Sequence, residues 1–303
     1  MDLFSQLLAN GIINGSSYAA LGLGFGLIIG VTGRFHFAYA TTYAVTAYAA
    51  IGAHDHSVPL IPAILIGLLA GAALGVLIEW FIYRPLEGAS PTLALLSIFI
   101  SALGIVIVGE NTIRLWLGSR SQLLEPGFTV KGLSIGNTTF TSLDVVTVCV
   151  MWAVILVVAG AIRYTRPGRM VDAVRVNPEM ARVVGIDSGH VYLVVFAIGS
   201  AVAGAAAILG TMKYAAVPDM GNQPVFIAFV VAFLAGVGSS PIRTAVAGLA
   251  IGIIESLSGL WLSSQWSQLV VFGILFIYVA VQPIPFKALL ATRTRRAPLV
   301  GAQ

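Results

Sequence analysis

The chain has 303 residues, of which 58% are hydrophobic and only 9% are charged, with a formal net charge of +4. Soluble globular proteins carry about 25% charged residues, so this composition excludes a water-soluble globular protein. The apolar runs are long and do not alternate with period two, which favours membrane-spanning helices over a β-barrel. We therefore predict an all-α, polytopic transmembrane bundle that forms a single domain over residues 1–303.

Nine apolar segments follow one another along the chain, and each is a candidate span because about 20 residues cross the bilayer core. They lie at roughly 6–31, 37–53, 58–83, 92–117, 142–164, 190–212, 223–238, 241–262 and 266–284. The second and seventh are short and rich in Tyr, Thr or Gly, so one or both could be broken or re-entrant. We expect eight or nine spans, and no cleavable signal peptide because Met1 to Asn10 lacks Lys and Arg.

The basic residues fall on two sides of this predicted bundle. One side holds only four of the 16 basic residues: Arg114, Arg120, Lys131 and Lys213. The other side holds Arg34, Arg84, Arg163, Arg166, Arg169, Arg175, Arg182, Arg243, Lys287, Arg293, Arg295 and Arg296. The positive-inside rule makes this more basic side cytoplasmic, together with the C-terminus. The N-terminus is then outside if all nine segments cross, and inside if one is re-entrant.

The loop at about 165–188, between the fifth and sixth segments, carries signals for a short helix. Asn177 can cap the helix, Pro178 suits its first position, and Gly185 suits its end. A short helix with polar and apolar residues between two spans cannot be buried in lipid. It either lies on the membrane surface or docks into a groove of a partner protein, and the residues leave both open.

Five groups of residues, in order along nearly the whole chain, match the motifs of a known family. They are Asn14-Gly15 with Tyr18-Ala19 and Leu21, Glu79 with Tyr83-Arg84-Pro85-Leu86, Asp172-Ala173 with Asn177, Ala181 and Gly185-Ile186, the run from Ala232 to Ser239, and Gly252 with Glu255. Together they resemble the permease subunits of bacterial branched-chain amino-acid ABC importers. The resemblance implies a permease in the bacterial cytoplasmic (inner) membrane, and branched-chain or other hydrophobic amino acids as substrates.

In that family the 165–188 loop holds a coupling helix that sits in a cleft of the ATPase subunit. The resemblance assigns ATPase coupling to Gly168, Asp172, Ala173, Asn177, Ala181 and Gly185. Asp172 stands where the family usually has Arg, which changes the expected charge pairing with the ATPase. Ala181 fits a tightly packed position in that contact.

The resemblance also implies the partners. They are a second permease subunit that forms a heterodimer with this chain, two ATP-binding subunits, an extracytoplasmic substrate-binding protein and the lipid bilayer, but no nucleic acid. The chain has no G-x-x-x-x-G-K-[S/T] phosphate loop. We therefore expect no enzymatic activity, no catalytic residue, no metal and no bound cofactor here, with ATP used by the partner subunits.

Eight residues are candidates for the translocation pathway: Asn14, Tyr18, Phe37, Tyr39, Gly236, Gly238, Ser239 and Glu255. Gly236, Gly238 and Ser239 cluster before Pro241 and predict a sharp break between two spans. Around Phe37 the chain departs from the family, with His36, Tyr39 and Ala40 where Asn, His and Gly are usual. These three residues either adapt the substrate path or only shape the start of a helix.

Carboxylates in or at the ends of spans leave an alternative function open, because buried charge in a membrane is costly and often functional. Glu79 and Glu255 would carry coupling protons in an ion-driven secondary transporter. We predict instead that Glu255 hydrogen-bonds Ser256, Ser258 or another span, and that Glu110 pairs with Arg114. A further alternative is an ABC importer for urea, amides or aromatic acids.

Overall fold

A computed structural model of the chain describes residues 2–87, 91–135, 138–263 and 266–281. The helices are α1 Asp2–Thr32, α2 Tyr39–Asp55, α3 Leu60–Ile78, α4 Arg84–Leu86, α5 Pro91–Leu117, α6 Ser142–Tyr164, α7 Arg166–Val176, α8 Pro178–Val183, α9 Ser188–Lys213, α10 Asn222–Ala235, α11 Pro241–Ser258 and α12 Ser267–Val281. A π-helical turn, Glu79–Tyr83, joins α3 to α4. The predicted all-α fold class is confirmed.

Each of the nine predicted apolar segments corresponds to a helix. Among the described residues, six helices are long and apolar enough to cross a membrane: Leu3–Thr32, Leu60–Leu86, Leu93–Leu117, Ser142–Tyr164, Ser188–Lys213 and Pro241–Ser258. The predicted short segments are α2, with 17 residues, and α10, with 14 residues. The ninth segment forms α12, with 15 residues up to Val281.

Helix α1 is the centre of the bundle and packs against α6, α9, α10 and α11, most extensively against α11. Small residues bring the two backbones together. A Cβ atom added to Gly252 would overlap the backbone of Gly15, and one added to Gly248 would overlap that of Ala19. Successive contacts run in opposite directions along the two helices, so α1 and α11 are antiparallel. This is small-residue packing of the kind that lets helices associate in lipid.

A second close contact joins α2, α3 and α9. Thr46 lies against Gly71 of α3 and Gly204 of α9, so a side chain at either glycine would overlap it. One turn further along α3, Gly75 lies against Ser200 of α9. The spacing of Gly71 and Gly75 therefore serves close helix packing.

The two ends of the bundle differ in charge and structure. We call one end the basic end. Helices α1 and α4 end there, and the short helices α7 and α8 lie there. Arg34 there forms ion pairs with Glu79 and Glu87. At the other end, called the hairpin end, the Gln6 amide donates a hydrogen bond to the Thr139 carbonyl (2.8 Å). Lys213 pairs with Asp144 at the same end (2.6 Å).

The predicted separation of basic residues agrees with these two ends. The basic end contains the loops and helix ends that carry Arg34, Arg84, Arg163, Arg166, Arg169, Arg175, Arg182 and Arg243. The hairpin end contains those that carry Arg114, Arg120, Lys131 and Lys213. The predicted cytoplasmic tail, with Lys287, Arg293, Arg295 and Arg296, lies outside the described residues.

The segment between α5 and α6 contains a short β-hairpin, which the sequence analysis did not predict. Two strands, β1 (Gly132–Ile135) and β2 (Thr138–Thr141), pair antiparallel, with Leu133 opposite Phe140. The hairpin is held on α1 because the Thr139 N–H also donates to the Gln6 side chain (2.8 Å). Four-residue strands are too short to be predicted from an alternating pattern of hydrophobic and polar residues.

Gly252→Ala tests the close contact between α1 and α11. The added methyl group has no room against Gly15, so we expect the free energy of unfolding to fall by about 1–3 kcal/mol. Gly104→Ala in α5 is the matched control, because a Cβ there meets no atom within 4 Å. The apparent unfolding temperature in detergent measures both. Equal stability of the two variants would contradict the packing described here.

Candidate functional site

A cavity of about 760 Å³ opens at the hairpin end, between α1, α9, α10, α11 and α12. Its wall is predominantly polar and includes Asn10, Asn14, Lys213, Gln223, Glu255 and Gln268. Two predicted pathway residues, Asn14 and Glu255, therefore lie on one cavity although 241 positions separate them in the sequence. We call this space the outer cavity.

Glu255 is the most unusual side chain of the outer cavity. Its Oε2 atom is buried and has no hydrogen-bond partner among the described residues. The Tyr18 hydroxyl of α1 is close enough to the Glu255 carboxyl group to interact with it, so a third predicted pathway residue joins this site.

Of the partners predicted for Glu255, the contact with another span is present, through Tyr18 of α1, whereas Ser256 and Ser258 donate their hydrogen bonds elsewhere. The Ser256 hydroxyl donates instead to the Leu7 carbonyl (2.6 Å), and the Ser258 hydroxyl donates to the backbone carbonyl of Glu255 (2.6 Å). Serine hydroxyls inside helices commonly use carbonyls of the helix backbone, and sequence spacing does not reveal this choice.

Phe37 and Tyr39 lie away from the outer cavity, in an aromatic core around Phe25. The ring centroid of Phe25 is 6.2 Å from that of Phe37 and 5.8 Å from that of Tyr39. The Tyr39 hydroxyl donates to the Leu21 carbonyl (3.2 Å), and His36 is fully buried with Nδ1 3.1 Å from the Tyr83 hydroxyl. These contacts favour the interpretation that the departures from the family pattern shape the start of α2.

Gly236, Gly238 and Ser239 border a second cavity, of about 470 Å³, between α1, α6, α7 and the start of α11. We call it the inner cavity. The predicted sharp break is confirmed, because Gly236 and Gly238 both have positive φ (+90° and +73°). Only glycine adopts such angles without strain. We call residues 236–240 the glycine turn.

An arginine on α7 ties the 165–188 segment to the glycine turn. Arg175 Nη1 donates to the Gly238 carbonyl (2.6 Å), and Arg175 Nη2 pairs with Asp172 Oδ1 (2.9 Å). Asp172, which replaces the family's usual Arg, thus has its charge partner within this chain. The sequence analysis did not predict the contact between Arg175 and Gly238, because no local sequence pattern indicates a contact between residues 63 positions apart.

The predicted capped helix in the 165–188 loop is confirmed as α8. The Asn177 side chain accepts hydrogen bonds from the N–H groups of Glu179 and Met180 (3.0 Å each), and Gly185 follows with a φ of +86°. The preceding residues form a second helix, α7, which Thr165 caps by accepting from the Gly168 N–H (3.1 Å). The sequence Thr165-Arg166-Pro167 carried this helix start signal.

Just before α9, the charged side chain of Asp187 forms a further helix cap. The Asp187 side chain accepts from the Gly189 N–H (2.8 Å) and pairs with His190 Nδ1 (2.9 Å). The hydrogen bond from His190 and the Gly189 N–H hold the pKa of Asp187 below its usual range. Both ends of the 165–188 segment, at Thr165 and Asp187, are therefore capped.

The predicted coupling residues do not share one outward face. A Cβ on Gly168 would overlap carbonyl groups at the end of α6, and Ala181 is only 3% exposed because it packs against this chain. Asn177 and Gly185 define the limits of α8, and Ala173 with Asp172 borders a shallow groove between α7 and α8. The outward apolar surface is formed instead by Val176, Met180, Val183 and Val184, which are 65–82% exposed.

Glu110 and Glu79 each have a partner from another part of the chain. Glu110 accepts a hydrogen bond from the Asn222 amide at the start of α10 (2.6 Å), and the predicted pairing with Arg114 is not among the ion pairs of the described residues. Glu79 is buried and pairs with Arg34, which follows α1. Both contacts join segments distant in sequence, so neither could be inferred from helical spacing.

Comparisons with known proteins agree over almost the whole chain. A family model described as branched-chain amino acid transport system / permease component matches residues 7–280. The high-affinity branched-chain amino acid transport system permease protein LivH of Salmonella typhimurium is 31% identical over 294 residues, covering 92% of this chain and 94% of that protein. The corresponding permease protein BraD of Pseudomonas aeruginosa is 30% identical over 298 residues, with the same coverage.

One solved structure shares the fold. It is PsaBC from Streptococcus pneumoniae in complex with Fab, with a TM-score of 0.52 and 15% sequence identity. The match covers 94% of this chain and 95% of that chain. At this identity the likeness concerns the fold alone.

Ala181→Glu and Val183→Glu distinguish the buried from the exposed side of α8. A glutamate at position 181 would place an uncompensated charge inside the chain, so we expect the free energy of unfolding to fall by about 3–5 kcal/mol. The same change at position 183, which is 82% exposed, should alter it by less than about 0.5 kcal/mol. The apparent unfolding temperature of the isolated chain in detergent is the measurement. A greater loss at 183 than at 181 would reverse the assignment.

Proposed function

Because the chain belongs to the family of permease components of branched-chain amino acid transport systems, we propose that it imports branched-chain or other hydrophobic amino acids as the permease subunit of an ATP-driven transporter. The observation that carries this proposal is the match to family and relatives over more than nine-tenths of the chain. The substrate named for those relatives is the substrate proposed here.

The pathway proposed for the solute follows the three groups of predicted residues. The outer cavity, with Asn14 and Glu255, receives the solute at the hairpin end. The aromatic core around Phe37 and Tyr39 closes the route in this conformation, because both side chains are buried. The inner cavity beside the glycine turn would continue the route towards the basic end. A second permease subunit supplies the other half of the pathway.

The proposed ATPase contact is the exposed apolar surface of α7 and α8. The exposed residues Val176, Met180, Val183 and Val184 lie at the basic end, and the same two helices carry Arg166, Arg169 and Arg182. An apolar patch with a charged rim is typical of a surface that docks on another protein. Two ATP-binding subunits would bind there on the two permeases, hydrolyse ATP and move the transmembrane helices through this contact.

The proposed location is the bacterial cytoplasmic membrane, with the basic end and the C-terminus in the cytoplasm. The charge separation between the two ends supports this orientation through the positive-inside rule. The hairpin end then faces outward, where an extracytoplasmic substrate-binding protein would deliver the solute to the outer cavity.

One observation favours a second candidate, an ion-coupled secondary transporter. The buried Glu255 oxygen without a hydrogen-bond partner resembles a proton-carrying carboxylate in a membrane. The family match weighs more, because it extends to the α7–α8 segment, for which a secondary transporter has no ATPase to bind.

The energy source separates these two candidates. In proteoliposomes that contain the permease with its ATPase subunits and binding protein, leucine uptake should require internal ATP. It should continue when a protonophore collapses the proton gradient, because the driving force comes from ATP. Omitting ATP is the control. Uptake by the permease alone that follows the proton gradient would establish the secondary transporter instead.

Val183→Glu tests the proposed ATPase contact. A charge in the centre of the apolar surface should weaken the interface, where disrupting a buried contact costs about 2–5 kcal/mol. We expect the permease to insert normally but to retain less than about a tenth of the co-purifying ATPase.

The matched control is Val130→Glu, which places the same charge on an exposed valine at the hairpin end. This variant should keep the full amount of ATPase. Normal ATPase recovery with Val183→Glu would show that the α7–α8 surface does not dock on the ATPase.

A further inference from the structure

The outer cavity is bordered by a carboxyl group, that of Glu255, which has no charged partner among the described residues. Lys213 and Glu255 are the charged side chains among the described residues that border it. Lys213 Nζ lies 2.6 Å from Asp144 Oδ1, so the lysine charge is already neutralised by this ion pair. Asp144 is itself fixed, because its other carboxylate oxygen accepts from the Thr141 N–H (2.9 Å) and hydroxyl (2.7 Å).

Glu255 has no such neutralising partner. The ion pairs formed by the described residues do not include it, and its Oε2 atom is buried without a hydrogen bond. The Tyr18 hydroxyl interacts with the carboxyl group but carries no charge to offset it. A buried carboxylate without a counter-charge is costly. A cationic group that enters the cavity would relieve this cost.

We propose that Glu255 binds the protonated amine of the transported solute, so that a primary ammonium group is what the outer cavity recognises. The inference rests on the proposed function for the transport itself, and it adds the part of the solute that this chain contacts. An ammonium has three N–H donors, which match the Glu255 carboxyl group together with the neutral polar groups of Asn14 and Gln223 that border the same cavity.

The same charge decides between solute classes. A zwitterionic amino acid carries the ammonium that Glu255 requires, whereas an organic acid without an amine meets a carboxylate of the same sign. Neutral amides and urea can donate N–H groups to the carboxylate, but they carry no positive charge to offset it, so they gain less than an ammonium does. The outer cavity therefore favours amino acids over aromatic acids, amides and urea.

Glu255→Gln in the complete reconstituted importer removes the charge and keeps the shape of the side chain. We expect leucine uptake to fall by at least about tenfold, the loss typical of one charged hydrogen bond. Assembly with the partner subunits should match that of the unmodified importer, because glutamine keeps the size and shape of the glutamate side chain. Glu125→Gln is the matched control, because Glu125 is exposed at the same end but does not border the outer cavity. It should transport normally.

Leucine uptake by Glu255→Gln within twofold of the unmodified importer would overturn the proposal. Failure of the unmodified importer to take up leucine would instead overturn the proposed function.

A second measurement leaves Glu255 unchanged, so it does not depend on whether the first variant folds. Ser263, which borders the cavity, is replaced by Cys in a chain with Cys149→Ser, and its rate of reaction with a soluble thiol reagent is followed. Leucine and 3-methylbutylamine should slow the reaction, whereas 4-methylpentanoate, which lacks the amine, should not. Equal protection by the acid, or no protection by the amine, would overturn the proposal. This readout needs neither ATP nor transport, so it remains informative if the proposed function fails.

Discussion

Direct backbone contact between α1 and α11 is the constraint on which the rest of the bundle depends. In lipid, apolar surface gives helices no reason to associate, so close packing and polar contacts must hold them together. Gly11 and Gly15 on α1 meet Gly248 and Gly252 on α11 without an intervening side chain. Because α1 also contacts α6, α9 and α10, fixing this pair orients most of the bundle. The outer cavity lies beside this contact, at the hairpin end.

A buried ion-pair network holds the opposite end. The side chain of Arg34 is 3% exposed and pairs with Glu79 in the π-helical turn and with Glu87 after α4. The Arg34 guanidinium also lies 5.0 Å from the centroid of the Tyr192 ring on α9. Removing one partner of a buried pair leaves the other uncompensated. The network therefore specifies how α1, the π-helical turn and α9 meet, and the irregular turn places Glu79 inside the bundle.

The features that the sequence predicted are those decided by local physics. Hydrophobic length gave the nine helices, and the cap at Asn177 with the stop at Gly185 gave α8, because both signals act within a few residues. The contacts that define the sites are different in kind. These contacts depend on how distant helices pack. They are the hydrogen bonds of Glu110 with Asn222 and of Arg175 with Gly238, and the burial of Ala181 against its own chain. Gly71 and Gly75 are four residues apart, a spacing typical of close packing between membrane helices, but that spacing does not show which helix faces them.

Arg175 and α11 together form a continuous structural connection between the two ends of the bundle. Arg175 is on α7 and holds the Gly238 carbonyl, and α11 begins at Pro241, directly after the glycine turn. Glu255 lies fourteen residues later, about 21 Å along the helix axis at 1.5 Å per residue. A helix transmits displacement along its axis with little deformation, whereas the positive-φ glycines beside it allow rotation. In the proposed importer, movement of the ATPase contact is therefore carried through Arg175 to α11 and its Glu255, the carboxylate proposed to bind the solute.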